Sequence, residues 1–220
     1  STTFSVNGST FALSTGFPTT GITGAKFQIL YNGSSSNNSN YTWSSDQSWV
    51  TVDSSGNVTF TGTATSSTKT VTITATQKTG LALKRKYTFT VAKWFTYKGY
   101  NTYGYAISTC GSESNLPTIY ELAGVAKANS VAVERSGSTV ALSAQWGALT
   151  NYGILPDAGT NQLRIIQSST FYLSNVVGYE VNYGVRDEAT LLYGTYFGSM
   201  NQGDRYNTGQ QQITLCRVNL

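Results

Sequence analysis

Thr70-Val71-Thr72-Ile73-Thr74-Ala75-Thr76 alternates threonine with an apolar residue at every step. Val71, Ile73 and Ala75 therefore share one face and the threonines the other, the mark of a strand with one buried side. A helix would scatter both sets around its axis. The same period of two extends along the chain in both directions. Phe27, Ile29 and Tyr31 alternate, as do Tyr41 and Trp43, Val50 and Val52, Val58 and Phe60, and finally Tyr87, Phe89 and Val91. Turn clusters separate the runs at Asn32-Gly33-Ser34-Ser35-Ser36, Asp53-Ser54-Ser55-Gly56-Asn57 and Lys78-Thr79-Gly80. Asn, Asp and Gly there accept the backbone angles that a reversal requires. Short strands at this spacing predict a β-sandwich over residues 1–92.

From Lys93 the texture changes. Tyr103, Ala106, Ile107 and Cys110 recur at helical spacing, although Gly104 among them disfavours a helix by about 1 kcal/mol. Thr118 and Glu121 form a capping box, with Pro117 and Leu122 placed to staple the helix start. Ile119, Leu122, Ala123 and Ala126 give that helix its apolar stripe. Short strands follow at Val131–Val133, Leu163–Ile166, Phe171–Leu173, Tyr179–Tyr183 and Ile213–Val218. Two early helices and then strands predict an α+β domain over residues 93–220. The boundary near Ala92-Lys93-Trp94 has no flexible linker, so two modules packed rigidly end to end are expected, with Trp94 and Trp146 in the core or between the modules.

The chain has 220 residues, enough for two cores, and charged residues make up only 11%. Ser, Thr, Asn, Gly and Tyr take their place, which suits β-rich surfaces. No apolar run approaches the roughly 20 residues that cross a bilayer as a helix. The start, Ser1-Thr2-Thr3-Phe4-Ser5-Val6, has neither a basic nor an apolar leader region. Lacking an initial Met, it reads as a mature protein or an excised fragment, the fragment being favoured. The five N-x-S/T sequons at Asn7, Asn32, Asn37, Asn40 and Asn57 arise easily in so Asn- and Ser-rich a chain.

Residues 1–92 carry six basic and two acidic groups, whereas the remainder is balanced, so the whole net charge of +4 sits on the first module. Half the basic groups cluster at Lys84-Arg85-Lys86. That triplet reads either as a polyanion patch or as a soluble edge strand, and the second reading carries more weight. One triplet without a basic stripe does not describe a nucleic-acid binder.

Cys110 and Cys216 match no metal-ligand spacing, and the chain contains no histidine. A long-range disulfide is the better reading and two buried thiols the alternative. A bridge closing a loop of about 100 residues stabilises by about 4–5 kcal/mol on the chain-entropy model and belongs to an oxidising compartment. Without histidine there is no Ser-His-Asp triad and no Cys-His pair. No phosphate-binding glycine loop or G-x-S-x-G elbow is present either. Asp187 and Glu188 are adjacent and would point to opposite faces of a strand. A binding protein without metal or cofactor, and not an enzyme, is expected.

Cys110-Gly111-Ser112-Glu113-Ser114-Asn115-Leu116-Pro117-Thr118-Ile119-Tyr120-Glu121-Leu122 resembles the C…L-P-T-x-x-E-L stretch of bacterial C-type-lectin-like domains, with Leu215-Cys216-Arg217-Val218 supplying the late cysteine. Trp43-Ser44-Ser45-Asp46 and Val52-Asp53-Ser54-Ser55-Gly56-Asn57-Val58-Thr59 resemble the signature of bacterial Ig-like domains. In this order, the two resemble the C-terminal tip of invasin and intimin-type adhesins, the inverse autotransporters. The resemblance implies a mainly β chain, an Ig-like β-sandwich followed by an α+β C-type-lectin-like domain with one disulfide. It implies a cell-surface adhesin, anchored in the outer membrane by a separate N-terminal barrel, whose tip meets a host cell-surface or soluble protein. The fragment itself would be a monomer and would not insert in the membrane. Alternatives are calcium-independent glycan binding, capture of a soluble host factor such as an immunoglobulin, and self-association or a spacer role. Calcium-dependent sugar binding is disfavoured, because Leu155-Pro156-Asp157 offers a leucine where an oxygen ligand is needed and Gly147 follows Trp146. No Arg-Gly-Asp occurs.

The candidate contact surface lies between Tyr193 and Tyr206. Tyr193, Tyr196, Phe197, Asp204, Arg205 and Tyr206 mix aromatics and an arginine with loop formers, a composition enriched among binding hot spots. The tyrosines and Phe197 also suit a strand core. Asp187, after Tyr183-Gly184, is a second candidate.

Overall fold

The computed structural model describes residues 1–101, 103–124, 129–132, 134–155, 162–166, 188–194, 199–204 and 212–220. The first module contributes nine strands: β1 (Thr3–Val6), β2 (Ser9–Ala12), β3 (Thr20–Ile22), β4 (Lys26–Leu30), β5 (Tyr41–Ser45), β6 (Val50–Val52), β7 (Asn57–Phe60), β8 (Thr70–Gln77) and β9 (Lys84–Thr90). A five-stranded sheet in the order β2-β1-β4-β7-β6 faces a three-stranded sheet β5-β8-β9. The alternation read from the sequence is what fills the gap between them. Phe27 and Ile29 of β4, Val58 and Phe60 of β7, and Val71, Ile73 and Ala75 of β8 are all buried. On the outer face, Thr70 and Thr72 bond Thr90 and Thr88 across the β8–β9 pair at 3.0 and 2.8 Å. Tyr31 leaves the strand pattern because Asn32, with φ of 52°, turns the chain into a short 3-10 helix at Tyr31–Gly33. Buried Asn38 holds the neighbouring turns, accepting from the Tyr31 N–H at 3.2 Å and donating to the carbonyls of Ile29 and Ser55 at 2.6 Å.

β3 breaks away from the sandwich. It pairs in parallel with β10 (Lys93–Asn101), Trp94 lying opposite Gly21, and so becomes the edge of the second module's sheet. The other elements of that module are α1 (Tyr103–Cys110), α2 (Ile119–Ala123), β11 (Asn129–Ala132), α3 (Leu142–Trp146), β12 (Gln162–Ile166), β13 (Glu188–Gly194), β14 (Ser199–Asp204) and β15 (Gln212–Asn219). Among the described residues the sheet order is β11-β14-β13-β12-β15-β10-β3. The helix expected at Tyr103–Cys110 forms despite Gly104. The capping box is present in full, Thr118 Oγ1 accepting from the Glu121 N–H at 3.1 Å and Glu121 Oε1 from the Thr118 N–H at 2.9 Å. Ala126, Phe171–Leu173 and Tyr179–Tyr183 lie outside the described residues. The third helix, α3, is an addition to the two expected.

The contact between the modules is a shared sheet and a shared core rather than an end-to-end abutment. One cluster of buried residues runs from Phe4 and Val6 through Phe60 and Trp94 to Leu122, Leu142, Trp146 and Leu215. Trp146 packs on Phe17 at 4.9 Å, Phe60 at 5.4 Å and Phe27 at 6.0 Å. Trp94 packs on Trp49 at 5.3 Å and Phe60 at 5.9 Å. Burying a tryptophan side chain stabilises by roughly 4–6 kcal/mol as an upper figure.

Most polar groups at this seam have partners, while the Trp94 indole N–H and the Ser143 hydroxyl are buried without one among the described residues. Gln145 is fully buried, and its Oε1 accepts from the N–H groups of Thr19 and Thr20 at 3.1 and 2.9 Å and from Thr20 Oγ1 at 2.6 Å. Its Nε2 donates to Thr19 Oγ1 and to the Gly137 carbonyl, both at 2.9 Å. The Trp146 indole N–H donates to the Thr20 carbonyl at 3.1 Å. Arg135 reaches across the same seam, donating to the Asn7 and Val6 carbonyls at 2.7 Å from its two Nη groups, with its guanidinium 5.6 Å over the Phe11 ring.

β3 can lie so close to β10 only because residue 21 is glycine. A Cβ there would stand 2.5 Å from the Trp94 ring and 3.0 Å from Phe60. Both rings are fully buried and have no room to retreat. Gly21→Ala is therefore expected to destabilise by about 1–3 kcal/mol, the usual range for overpacking. Urea denaturation measures this, and an unchanged midpoint would contradict the close approach.

Candidate functional site

The second module is held in shape by three ties around β15. The disulfide Cys110–Cys216 joins the end of α1 to β15, with Cα atoms 5.3 Å apart across a separation of 106 residues. Of the two states open to the cysteines, the bonded one is found, and none of the cysteines is free. A bridge spanning so long a loop stabilises by about 4–5 kcal/mol if its effect is to restrict the unfolded chain.

Glu121 makes the second tie. Its Oε2 lies 2.8 Å from Lys93 Nζ and 2.8 Å from Arg217 Nε, the latter an ion pair by distance without the alignment of a hydrogen bond. One carboxylate thus links α2 to β10 and to β15. The third tie is at the chain end, where Lys93 Nζ also donates to Asn219 Oδ1 at 2.8 Å and the Leu220 N–H to the Ala92 carbonyl at 2.9 Å.

Two of the candidate contact residues, Tyr193 and Asp204, fall on the antiparallel pair β13 and β14. Tyr193 lies in β13, opposite Leu163 of β12 on one side and Met200 of β14 on the other. Asp204 ends β14, opposite Glu188 at the start of β13. Met200 and Asp204 are four steps apart, so Tyr193 and Asp204 sit at opposite ends of the hairpin, roughly 13 Å apart along the strand. Asp187, Tyr196, Phe197, Arg205 and Tyr206 lie outside the described residues. Trp146 and Leu155 are buried in the shared core. Among the described residues there is no group of three or more His, Cys, Asp or Glu side chains placed to hold a metal. No helix among them is long and apolar enough to cross a membrane.

Residues 2–89 match the family model of invasin domain 4. Two solved structures share the fold of the whole chain. The crystal structure of invasin, described as a bacterial integrin-binding protein, superposes with a TM-score of 0.70 at 23% identity over 99% of this chain. An intimin mutant from EHEC O157:H7 superposes with a TM-score of 0.53 at 19% identity, covering 98% of this chain and 95% of its own. The chain has the invasin/intimin fold. It spans 39% of the length of the invasin chain it matches. No curated protein sequence matches it. The Ig-like sandwich and the disulfide-closed module stand in the order the sequence motifs implied.

The sequence reading missed Arg135, Gln145, Asn7 and Thr20, the polar groups that seat the second module on the first. A polar Gln145 within Ala141-Leu142-Ser143-Ala144-Gln145-Trp146 is the one signal available, since a buried amide requires partners.

The ion pairs of Glu121 give the invasin-like fragment a defined response to acid. Burial by itself would raise the Glu121 carboxyl, but the hydrogen bond from Lys93, the Thr118 N–H and the charges of Arg217 and Lys93 hold it below its ordinary value of 4.5. A carboxyl depressed on folding stabilises fully above 4.5 and loses that contribution as pH falls through its lowered value. Glu121→Gln is expected to lower the melting temperature at pH 7, with the gap to wild type closing below pH 4.5. Melting curves across pH check this, and a gap that stays constant into acid would contradict it.

Proposed function

We propose that the fragment is the receptor-binding end of a bacterial surface adhesin, with residues 93–220 contacting a host protein and residues 1–92 seating them. The single observation that carries this reading is the likeness of the whole chain to invasin, itself described as integrin-binding. The seam supports it physically. A module fixed by a shared core and sheet is presented without a hinge, so receptor contact costs no reorientation of one module against the other.

The proposed contact surface comprises Tyr193, Tyr196, Phe197, Asp204, Arg205 and Tyr206, with Asp187 beside Glu188. Tyrosine and arginine supply large rigid contact area and directed hydrogen bonds, the usual makeup of an energetic centre. A protein-sized interface covers about 800 Å² on each partner, enough to span both ends of the β13–β14 hairpin. The proposed setting is the bacterial surface, and the proposed form of the fragment is a monomer.

Binding of the purified fragment to intact epithelial cells tests the reading. Saturable binding is expected, and the double variant Arg205→Ala/Tyr206→Ala should weaken it by about tenfold or more with an unchanged melting temperature. Binding that the double variant leaves intact would overturn the contact surface. Absence of saturable binding by the wild type, or its inhibition by neutral free sugars, would overturn the protein-receptor reading.

A further inference from the structure

The Lys84-Arg85-Lys86 triplet takes on a different meaning once β9 is placed. β9 is the edge of the three-stranded sheet, opposite β8 in a register that sets Ala75 against Arg85, Ile73 against Tyr87 and Val71 against Phe89. Phe89 and Tyr87 face the sandwich interior, so Arg85, two residues earlier, lies on that same inner face. On the other side of β8, Ala75 is opposite Trp43 of β5. One row across the sheet therefore reads Trp43, Ala75, Arg85, a small residue between two large ones.

The row forms the floor and two walls of an open groove of about 370 Å³ at the mouth of the sandwich, closed further by Tyr31 and Tyr87. Two physical features stand out. The walls Tyr31, Trp43 and Tyr87 are aromatic, while Arg85 and Lys86 bring positive charge and none of the lining residues is acidic. Among the described residues Arg85 has no carboxylate partner. Its Nε donates to Tyr31 Oη at 3.3 Å, which orients the guanidinium and leaves both Nη groups for another acceptor. The Tyr31 ring is itself fixed against Tyr41 at 4.5 Å, and the Trp43 indole N–H is fixed on the Asn38 carbonyl at 3.0 Å. The hydrogen bond with Tyr41 and then that with Arg85 lower the Tyr31 hydroxyl below its ordinary range, in keeping with a groove that favours negative charge.

We propose that this groove is a binding site for an acidic saccharide, its carboxylate paired with Arg85 and the apolar face of its pyranose ring laid on Trp43. The volume suits one or two sugar rings. An arginine fork matches a carboxylate in two parallel hydrogen bonds, and an aromatic wall accepts the C–H face of a pyranose while its hydroxyls remain in water. An inward charge on an edge strand also deters strand pairing, but that role requires neither the open groove nor the tryptophan beside it. The site is on the first module and independent of the receptor contact proposed for the second.

Titration of the intact fragment by NMR or tryptophan fluorescence, with sialyllactose, an unsulfated glucuronate disaccharide and neutral lactose as probes, tests this. At least one acidic probe should bind with a Kd on the order of 1 mM, and lactose should not. Which acidic probe binds tells a sialylated glycan from a uronate polysaccharide as the source. Arg85→Ala should weaken binding by about tenfold, and Ala75→Leu, which fills the floor, should abolish it. Lys78→Ala, at the hairpin tip outside the groove lining, should bind as wild type does. Failure of both acidic probes, equal binding of lactose, or unchanged binding by Arg85→Ala would overturn the proposal.

Discussion

The burial of Trp146 and Gln145 against the first module is the interaction on which the rest depends. Trp146 packs among Phe17, Phe27 and Phe60, and its neighbour Gln145 satisfies the Thr19 and Thr20 backbone that β3 turns toward it. Without that amide, the buried Thr20 N–H and the part-buried Thr19 N–H would lose their acceptor, each costing about 1–3 kcal/mol. With it, β3 can leave the sandwich and complete the other sheet. The parallel pairing with β10, the Gly21–Trp94 contact and the Arg135 fork on Val6 and Asn7 all follow from where those two residues sit.

Two kinds of interaction fuse the pair of modules. Apolar burial across the seam is non-directional and strong, while the Gln145, Trp146 and Arg135 hydrogen bonds fix one orientation. The ties around β15 brace the same sheet. Cys216 fastens α1, Arg217 meets the carboxylate that caps α2, and Asn219 meets Lys93. The β13–β14 hairpin is thus carried on a sheet braced at β15 and again at β3.

The sandwich was legible because each of its strands has one wet and one dry face, so Val71, Ile73 and Ala75 announce themselves against the threonines. The Thr118–Glu121 cap was legible because it is local, three residues long. What the sequence hid has the opposite character. β3 is buried on both faces, Thr20, Gly21 and Ile22 alike, and shows no alternation. α3 has five residues, all buried, with Ala141 at its N-cap offering no side-chain bond. The Gln145–Thr20 pair spans 125 residues, beyond any local pattern. Of the contact candidates only Tyr193 and Asp204 fall on described strands, and the others lie outside the described residues. Arg85 was open to a better reading, because the alternation Arg85, Tyr87, Phe89 already assigns it to the inner face.

The central claim is that one core serves both modules, and calorimetric unfolding of the oxidised fragment tests it most directly. A shared core predicts a single cooperative transition whose calorimetric and van't Hoff enthalpies agree. Two resolved transitions, with the sandwich melting apart from the disulfide-closed module, would contradict it.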